Sequence, residues 1–374
     1  MPLIRQDVSL CEFSTMRLGG TARYHTTVTK KAEVVEAVAW SRQHQVPIIV
    51  VGEGSNIVWR DEGFDGLLVS NRICGYSESR QDDGSVLVTI GAGERWDNVV
   101  AESVESGLMG IEALSMIPGT AGATPVQNVG AYGQELADIL VAVEAYDLSR
   151  DAFVTIPADE CVLGYRTSRF NSLPDRGRFF ITGLALRLWP SPPPKPFRVH
   201  GEVERIIGPV DYTCYTPGPV RDAVMQIRSH KLPDPARVPN CGSFFANPVV
   251  ARSHADKLEE VYPDMPGWPT SDGQQVKIPA AWLIERAGFG DFHDVETGMG
   301  TWRSQPLVLV NEHARSTADL LKFRDRIVES VFAGAGIRLV QEPALLPVGP
   351  TTSHLVDETS AEMDRIMRRL KLNP

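Results

Sequence analysis

The sequence predicts an α+β protein with more than one domain. Its 374 residues are enough for two or three domains. Short β-type runs separated by turn residues dominate the first half, and FFITGLALRL at 179–188 is the longest of them. The run WPSPPPKPF at 189–197 contains five prolines, so it cannot pair in a sheet or continue a helix. Helical patterns are longer beyond it, which predicts a domain boundary there.

These observations define the expected domains. We place a first module at residues 1–190, with one lobe at about 1–70 and a second at 71–190. The linker and a second α+β domain follow at 191–349. A polar tail with a helical pattern occupies 350–374, and no role is assigned to it.

Hydrophobic periodicity locates several elements within these domains. A helix is expected from about Lys31 to His44, with Thr29 as its cap and the short buried strand IIVVG after it. Asp319 occupies the capping-box position of a long amphipathic helix. Other strands are expected at 21–28, 66–70, 85–90, 141–147 and 307–311, extended structure at 336–343, and other helices at about 97–107, 219–230, 251–261, 276–288 and 316–333.

Composition excludes several classes of protein. The formal net charge of −10 disfavours a nucleic-acid or anionic-membrane partner. Five cysteines without CxxC spacing argue against a zinc site and a disulfide framework, and they suit a reducing cytoplasm. The N-terminus lacks the apolar core of a signal peptide, and no apolar run approaches the ~18 residues that span a bilayer. We therefore expect a cytoplasmic protein without a metal site.

The stretch IPGTAGATPVQNVGAYGQE at 117–135 is the first candidate binding element. It is too rich in glycine for a helix and too irregular for a strand, yet it carries apolar residues that a solvated linker would not. Glycines let main-chain N–H groups approach a ligand, and successive N–H groups bind anions such as a diphosphate. The alternative is a buried structural loop.

A second glycine-containing motif, GEGSN at 52–56, follows a predicted strand. It matches neither GxGxxG nor the Lys-Ser/Thr of a P-loop. Its small residues still offer free N–H groups at the end of a strand, which favours ligand binding. A plain turn between strands is the alternative.

Four further motifs carry groups that could do chemistry. GYRTSRF supplies Arg166 and Arg169, and a fixed guanidinium can bind a carboxylate or stabilise a developing oxyanion. MQIRSHKLP supplies Arg228, His230 and Lys231, the local basic cluster that an anionic ligand requires in an acidic protein. The alternatives are a surface or salt-bridged arginine for the first motif and the basic last turn of a helix for the second.

The other two motifs contain a serine and a glutamate. Ser243 in NCGSFFANP is expected to be a hydroxyl in apolar surroundings, and no GxSxG elbow surrounds it, so proton donation fits better than nucleophilic attack. A turn or helix cap is an equal alternative. Glu342 stands in the apolar strand-like run LVQEPALL, where it is either functional or exposed by alternation.

Taken together, the ordered motifs resemble the UDP-N-acetylenolpyruvoylglucosamine reductase (MurB) family. They are GEGSN, GAGERW, IPGTAGATPVQNVGAYGQEL, GYRTSRF, RSHKLPDP, CGSFFANP, VKIPAAWLIE and LVLVN. Each motif is weak alone, but the set and its order are very specific. The resemblance extends over about residues 10–349.

The resemblance implies a fold and a cofactor. The first module would be a two-lobed FAD-binding module of the vanillyl-alcohol-oxidase (PCMH) type, and the second domain would bind substrate. NADPH would reduce FAD and then be replaced by UDP-N-acetylglucosamine enolpyruvate, the product being UDP-N-acetylmuramate for peptidoglycan. The implied FAD-binding residues are Gly52, Glu53, Gly54, Ser55, Asn56, Ile117, Pro118, Gly119, Gly122, Ala123, Gln127 and Asn128.

The resemblance also implies roles for the candidate catalytic residues. Arg166 and Glu342 match positions that stabilise an enol-type intermediate, and a glutamic acid that keeps its proton could donate a hydrogen bond there. Ser243 matches the proton donor to the carbon next to the carboxylate. The implied substrate-binding residues are Tyr132, Arg228, Lys231, Asn247 and Gln305.

The sequence departs from the family pattern at two places. His200 stands where many members have a tyrosine that reaches the UDP group, and Pro343 follows Glu342 where valine is usual. Two other functions stay open: another FAD-dependent oxidoreductase of the same module, and a nucleotide-sugar-binding protein without turnover. We expect a monomer with no nucleic-acid or membrane partner.

Overall fold

The computed structural model describes residues 3–190, 192, 201–211, 214–270 and 272–348. Most of the predicted linker, His200 and the tail from 350 lie outside the described residues. Contacts group the chain into two discontinuous units. The first comprises residues 1–8, 22–54 and 64–231, and the second comprises 9–21, 55–63 and 232–374.

Seven α-helices and twenty strands lie within the described residues. The helices are α1 Lys31–Gln43, α2 Trp96–Glu105, α3 Gly201–Ile207, α4 Pro217–Lys231, α5 Arg252–Val261, α6 Ala280–Ile284 and α7 Thr317–Ala335. The first strands are β1 Arg5–Ser9, β2 Thr21–Val28, β3 Ile48–Val51, β4 Ile57–Trp59, β5 Phe64–Asn71, β6 Tyr76–Arg80, β7 Val86–Gly91, β8 Gly130–Ala131, β9 Gln134–Glu135, β10 Leu140–Asp147, β11 Ala152–Pro157 and β12 Phe179–Leu188. The later strands are β13 Asn240–Ser243, β14 Val249–Ala251, β15 Trp268–Pro269, β16 Gln275–Lys277, β17 His293–Asp294, β18 Met299–Trp302, β19 Gln305–Asn311 and β20 Ala344–Leu346.

The first unit contains two main sheets and the short two-stranded sheet β8-β9. The smaller main sheet has the order β1-β2-β5-β3, and β5 runs parallel to both β2 and β3. Helix α1 covers it through Val34 and Val38, which are buried with Val69 of β5. The spacing of these valines on one face of α1 explains why this helix forms where the sequence predicts it.

The larger sheet of this unit has the order β11-β10-β12-β7-β6. Neighbouring strands are antiparallel throughout, as pairs such as Leu184 with Ile90 show. Trp96 at the start of α2 is fully buried in its core, and its indole N–H donates to Leu114 O at 3.1 Å. That bond fixes the start of α2 against the chain that leads into the 117–135 loop.

Helices α3 and α4 also belong to the first unit. Val220 and Val224 of α4 are buried with Val203 of α3 and with Ala113. These apolar contacts place the basic end of α4 beside the segment 110–116. The expected helix at 219–230 is therefore confirmed.

The second unit combines small sheets with α5, α6 and α7. Its main sheet has the order β13-β19-β18-β17, and β4 pairs in parallel with β20. Phe244, Phe323 and Val58 share its fully buried core. The predicted capping box of α7 is confirmed, because Ser316 and Asp319 bond reciprocally across its first turn.

Two of the sequence-based predictions about elements are wrong. Thr29 does not cap α1: the N-cap is Lys30, and the Thr29 hydroxyl donates to Glu33 instead. The helix expected at 276–288 is reduced to α6 and one following turn of π-helix at Glu285–Phe289. Its first residues are extended as β16, because the chain before Pro279 pairs with β14 and the residue before a proline avoids helical geometry.

Candidate active site

Three glycine-containing loops of the first unit lie against one another. They are residues 52–54 after β3, 91–96 between β7 and α2, and 117–124. The N–H of Gly122 donates to Ala92 O at 2.8 Å, which joins the second loop to the third. The sequence singles out the same three stretches, although they are far apart along the chain.

Close packing explains the glycines in these loops. A Cβ on Gly52 would stand 2.3 Å from Thr120 Oγ1, and a Cβ on Gly122 would stand 2.6 Å from Ala92 Cβ. Real Cβ atoms do not approach other atoms this closely, so any side chain would push the loops apart. The glycines therefore allow three backbones to converge on one place.

The predicted motif GEGSN is divided between the units. Glu53, in the first unit, forms an ion pair with Arg95 at 3.1 Å. Ser55 and Asn56 group with the second unit, where Asn56 O accepts a hydrogen bond from the N–H of Ala344 at 3.1 Å.

The rest of the predicted FAD-binding residues lie along the 117–135 loop. Ile117 packs partly buried against the core of the larger sheet, and Gly119 O accepts from the N–H of Trp96 at 2.9 Å. Ala123 closes a 3₁₀ turn. Pro118 and Gln127 belong to the same loop.

Asn128 stabilises this loop from within. Its side chain is buried, its Oδ1 accepts from the N–H of Ala137 at 3.0 Å, and its Nδ2 donates to Gly164 O at 3.2 Å. The oxygen and the nitrogen of the side-chain amide are both hydrogen-bonded to protein atoms. A contact between Asn128 and a ligand would therefore use the main chain.

Arg166 lies over the same loop. Its Nη2 donates to Gly130 O at 3.4 Å, and its backbone has a φ of 56°, in the left-handed region. A bulky residue held in that conformation requires support, and Asn171 Nδ2 gives it by donating to Arg166 O at 3.2 Å.

Arg169, in the same motif, has a structural role. Its guanidinium pairs with Asp175 at 2.7 Å and with Glu160 at 3.6 Å. It also lies 5.1 Å from the ring centre of Phe179. Arg169 therefore holds the segment that presents Arg166.

Helix α4 brings Arg228 to the 117–135 loop. Its Nη2 donates to Met116 O at 3.2 Å, and its guanidinium also hydrogen-bonds to the Tyr132 hydroxyl. Burial lowers the pKa of Arg228 and raises the pKa of Tyr132. The Nε of Arg228 is buried and has no hydrogen-bond partner in the part of the chain that the structure describes.

Lys231 lies one turn further along α4. Its Nζ pairs with Glu202 of α3 at 3.1 Å. Both side chains are about one-third exposed, so a competing anion could reach the lysine.

The structure adds Asp97 and Arg221 to this group, and the sequence analysis missed both. The N–H of Met116 donates to Asp97 Oδ1 at 2.7 Å, and Arg221 binds the two carboxylate oxygens at 2.8 and 3.3 Å. Asp97 follows GAGERW directly, but nothing in the sequence indicates that it meets a helix more than a hundred residues later.

Gln134 is a further buried residue beside Tyr132. Its Oε1 accepts from the N–H of Ala113 at 2.7 Å, which fixes the orientation of the amide. Its buried Nε2 has no hydrogen-bond partner among the described residues. Arg228 and Gln134 thus present unsatisfied donors on this side of the unit.

The second unit brings Ser243 and Glu342 together. The N–H of Glu342 donates to Phe244 O at 2.9 Å, and the N–H of Ala246 donates to Val340 O at 2.9 Å. The segment that carries Glu342 therefore runs alongside the residues that follow Ser243. The Cys241 thiol lies in the same place: burial, and then the nearby carboxyl group of Glu342, raise its pKa.

Two expectations about these residues are corrected. Ser243 is exposed at the end of β13 rather than surrounded by apolar groups, because Phe244 and Phe245 after it turn into the core. Glu342 is half-buried and does not lie in a strand, because it falls between the single β-bridge at Gln341 and the start of β20.

Asn247 and Gln305 occupy nearby elements of the second unit. Asn247 Oδ1 accepts from the N–H of Ala280 at 2.9 Å, so it supports the start of α6. Gln305 begins β19 and pairs with Trp302, whose buried indole N–H has no partner among the described residues.

The predicted site residues thus form two groups. Arg166 and Arg228 contact the 117–135 loop, which carries Tyr132, in the first unit, and Lys231 lies one helical turn from Arg228. Ser243 and Glu342 are adjacent in the second unit, near Asn247.

Comparison with known proteins identifies the family to which the chain belongs. The family model described as FAD binding domain matches residues 22–151, and the model described as UDP-N-acetylenolpyruvoylglucosamine reductase, C-terminal domain, matches 234–346. The reductase of that name from Alcanivorax borkumensis is 38% identical over 341 residues, which are 91% of this chain and 96% of that protein. The chain belongs to the UDP-N-acetylenolpyruvoylglucosamine reductase family.

Other relatives have the same name. The reductase from Thermobifida fusca is 38% identical over 92% of this chain and 98% of its own, and that from Pseudomonas aeruginosa is 36% identical over 91% and 98%. The crystal structure of the MurB reductase from Thermus caldophilus is 22% identical, covers 92% of this chain and all of its own, and has a TM-score of 0.63. The predicted α+β fold, an FAD-binding module followed by a C-terminal α+β domain, is confirmed.

The residues present fit FAD. The three converging loops all lie within the stretch that the FAD-binding model matches. Gly52 and Gly122 leave no room for side chains, so main-chain groups line the place where the loops meet. The hydroxyl of Thr182, beside Ala92, is buried without a partner among the described residues and could serve a polar ligand. The FAD-binding domain and the family together indicate that the chain is an FAD-dependent oxidoreductase.

Membrane-spanning helices and clusters of metal-ligating side chains are both absent from the described residues. None of the described helices combines the length and apolar character that crossing a membrane requires. Among the same residues, no group of three or more His, Cys, Asp or Glu side chains is arranged to hold a metal ion.

Proposed function

We propose that this chain reduces UDP-N-acetylglucosamine enolpyruvate to UDP-N-acetylmuramate with NADPH, through bound FAD, in the synthesis of peptidoglycan precursors. The observation that carries the proposal is the adjacency of Ser243 and Glu342, fixed by the main-chain bond from Glu342 to Phe244. A proton donor and a carboxyl group side by side suit protonation next to an enolate.

The cofactor would be held by the loops that contain its predicted ligands. Main-chain N–H groups of Gly52 to Asn56 would bind the diphosphate, and residues 117–128 would surround the flavin. When bound, FAD supplies hydride transfer between NADPH and the methylene carbon of the enolpyruvyl group.

The first unit would orient the substrate through its cationic side chains. Arg166, anchored on Gly130 O, would bind the enolpyruvyl carboxylate and the negative charge that develops on it. Arg228 and Lys231 would bind the diphosphate, since a protein of net charge −10 needs local positive charge for an anion. Tyr132 would contact the sugar.

The second unit would complete the chemistry. Ser243 would give its proton to the carbon next to the carboxylate, and its exposed position keeps the hydroxyl accessible. Glu342 would carry a proton and donate a hydrogen bond to the enolate oxygen. Asn247 and Gln305 would hold the sugar and diphosphate.

We place this enzyme in the cytoplasm and expect it to act as a monomer. All five cysteines are free, which is compatible with a reducing compartment. Neither inference is needed for the chemistry.

An anaerobic two-step titration tests the function. The purified protein should be yellow, NADPH should bleach the flavin, and the enolpyruvyl UDP-sugar should then reoxidise it rapidly. A protein that cannot take up FAD would contradict the proposal. Bleaching by NADPH without reoxidation by that sugar would favour another FAD-dependent oxidoreductase, and failure of both steps with FAD bound would favour a binding protein.

A further inference from the structure

The peptide groups of Met116 are held from both sides. Its N–H donates to Asp97 Oδ1 at 2.7 Å, and its carbonyl accepts from Arg228 Nη2 at 3.2 Å. Met116 has a φ of 56°, in the left-handed region, which is unfavourable for a residue with a Cβ. These two bonds therefore hold an unfavourable conformation at the residue directly before the 117–135 loop.

Asp97 joins this peptide to helix α4. The same Oδ1 accepts from Arg221 Nη1 at 2.8 Å, and Arg221 Nη1 also donates to Ser115 Oγ at 2.9 Å. Burial opposes the ionisation of Asp97, but the bonds from Arg221 and from the Met116 N–H outweigh it and keep the pKa of Asp97 below its ordinary value. The carboxylate is therefore charged and binds both partners.

Arg221 and Arg228 act from the same helix. They are seven residues apart on α4, which is two turns, so both face the segment 115–116. Arg221 is largely buried, with 13% of its side chain exposed, and the Asp97 carboxylate is about one-third exposed. A charge pair in this environment fixes a helix more strongly than one on an open surface.

We propose that Asp97 and Arg221 are positioning residues. They hold the start of the 117–135 loop and helix α4, which carries Arg228, in a fixed position relative to each other. The inference rests on the proposed function for the role of Arg228. It goes beyond that function because neither Asp97 nor Arg221 touches the substrate or the flavin in the proposal. Breaking the pair frees Met116 to leave its left-handed conformation, and the loop and Arg228 then lose their common support.

The test uses Asp97→Asn, Arg221→Gln and the double variant, each as the full chain. The dissociation constant of FAD is measured by fluorescence titration of the apoprotein, and KM and kcat are measured with the enolpyruvyl UDP-sugar. We expect the FAD dissociation constant and KM each to rise roughly tenfold, with kcat changed by less than about threefold. The double variant should be no worse than the poorer single variant, because the pair acts as one unit.

Arg23→Gln is the matched control, because Arg23 and Asp65 form an exposed ion pair in the same unit. The proposal is overturned if the variants have the same melting temperature as the control and their FAD dissociation constant and KM stay within about twofold of the wild type. It is also overturned if kcat falls while KM does not change. If the single variants do not fold, Arg221→Lys, which keeps one charged bond, must show the same effects at smaller size. If the wild type has no activity with the sugar, the proposed function fails, and the FAD titration still decides on the pair.

Discussion

At the scale of single residues, Ser243 carries the most specific chemical prediction. Replacing its hydroxyl by hydrogen in Ser243→Ala removes a proton source and little else, since the side chain is exposed and the main-chain bonds of β13 do not depend on it. We expect flavin reduction by NADPH to persist and reoxidation by the enolpyruvyl sugar to slow by orders of magnitude, because protonation enters only in the second half-reaction. Anaerobic stopped-flow spectroscopy measures both steps.

Ser253→Ala is the control for that experiment, since Ser253 is exposed on α5 of the same unit. It should leave both steps unchanged. If Ser243→Ala slows both half-reactions equally, Ser243 is not the proton donor and the change has disturbed the fold instead.

The sequence identified these residues but not their surroundings. The motif around Ser243 predicted a hydroxyl among apolar groups, yet the two phenylalanines bury themselves and leave the serine outside. Asp97 could not be recognised at all, because an aspartate in the first turn of a helix is a common stabilising choice. Only the fold shows that it binds Arg221 and the Met116 peptide.

At the scale of elements, the glycine loops give a prediction about the cofactor. In Gly122→Ala the new methyl group would meet Ala92 Cβ at 2.6 Å and Ala92 O at 3.0 Å, and neither atom can swing away as the end of a long side chain could. The loops must separate, so we expect FAD affinity to fall at least about tenfold with a smaller loss of stability. Titration of the apoprotein with FAD measures the effect.

Gly218→Ala is the matched substitution in the same unit. Nothing lies within 4 Å of a Cβ at Gly218, which is in the first turn of α4. It should bind FAD as the wild type does. Equal affinity in the two variants would show that close packing at Gly122 is not needed for the cofactor.

Elements with strong local signals were predicted well. The valines of α1, the capping box of α7 and the apolar run of β12 are all local patterns, and each element lies where its pattern indicated. The prediction of a helix at 276–288 was wrong at its start, because those residues form β16, which pairs with β14, a strand distant in sequence. Pairings such as β4 with β20 leave no trace in either strand alone.

At the scale of the whole molecule, stability should depend on one buried histidine. His25 Nδ1 accepts from the Arg5 guanidinium at 3.1 Å, and its Nε2 lies 3.0 Å from Ser70 Oγ. Burial first, and then the charges of Arg5 and Arg72, lower the pKa of His25 from 6.5 to about 4. The unfolded chain therefore binds this proton at a higher pH than the folded chain does.

The sign of the pH dependence follows from that difference. The contribution of His25 to stability is complete above pH 6.5 and is lost as the pH falls towards 4, with a total of about 3 kcal/mol at most. Urea unfolding at several pH values measures it, and His25→Gln should have a flatter profile than the wild type. His313→Gln, at an exposed position, should keep the wild-type slope; equal slopes in all three proteins would refute the assignment.

The division of the chain into units was beyond sequence analysis for a physical reason. Composition predicts a boundary where the chain changes character, as at the proline run, and the predicted boundaries stay a prediction. It does not reveal that residues 9–21 and 55–63 group with the far end of the chain. The sequence around Met16, Leu18 and Val58 predicts only that they are buried. It does not indicate that they belong to the core of the second unit.

The partnership of β4 with β20 has a consequence during synthesis. Arg60, beside β4, hydrogen-bonds to the carbonyl of Pro347, a residue 287 positions later. At a translation rate of about 5–20 residues per second, β4 waits on the order of 15–60 s after it leaves the ribosome before its partner strand emerges. Until the residues beyond 232 emerge, Trp59, fully buried in the finished fold, lacks most of the unit to which it belongs. This segment is therefore expected to stay exposed in the nascent chain until the second unit is synthesised.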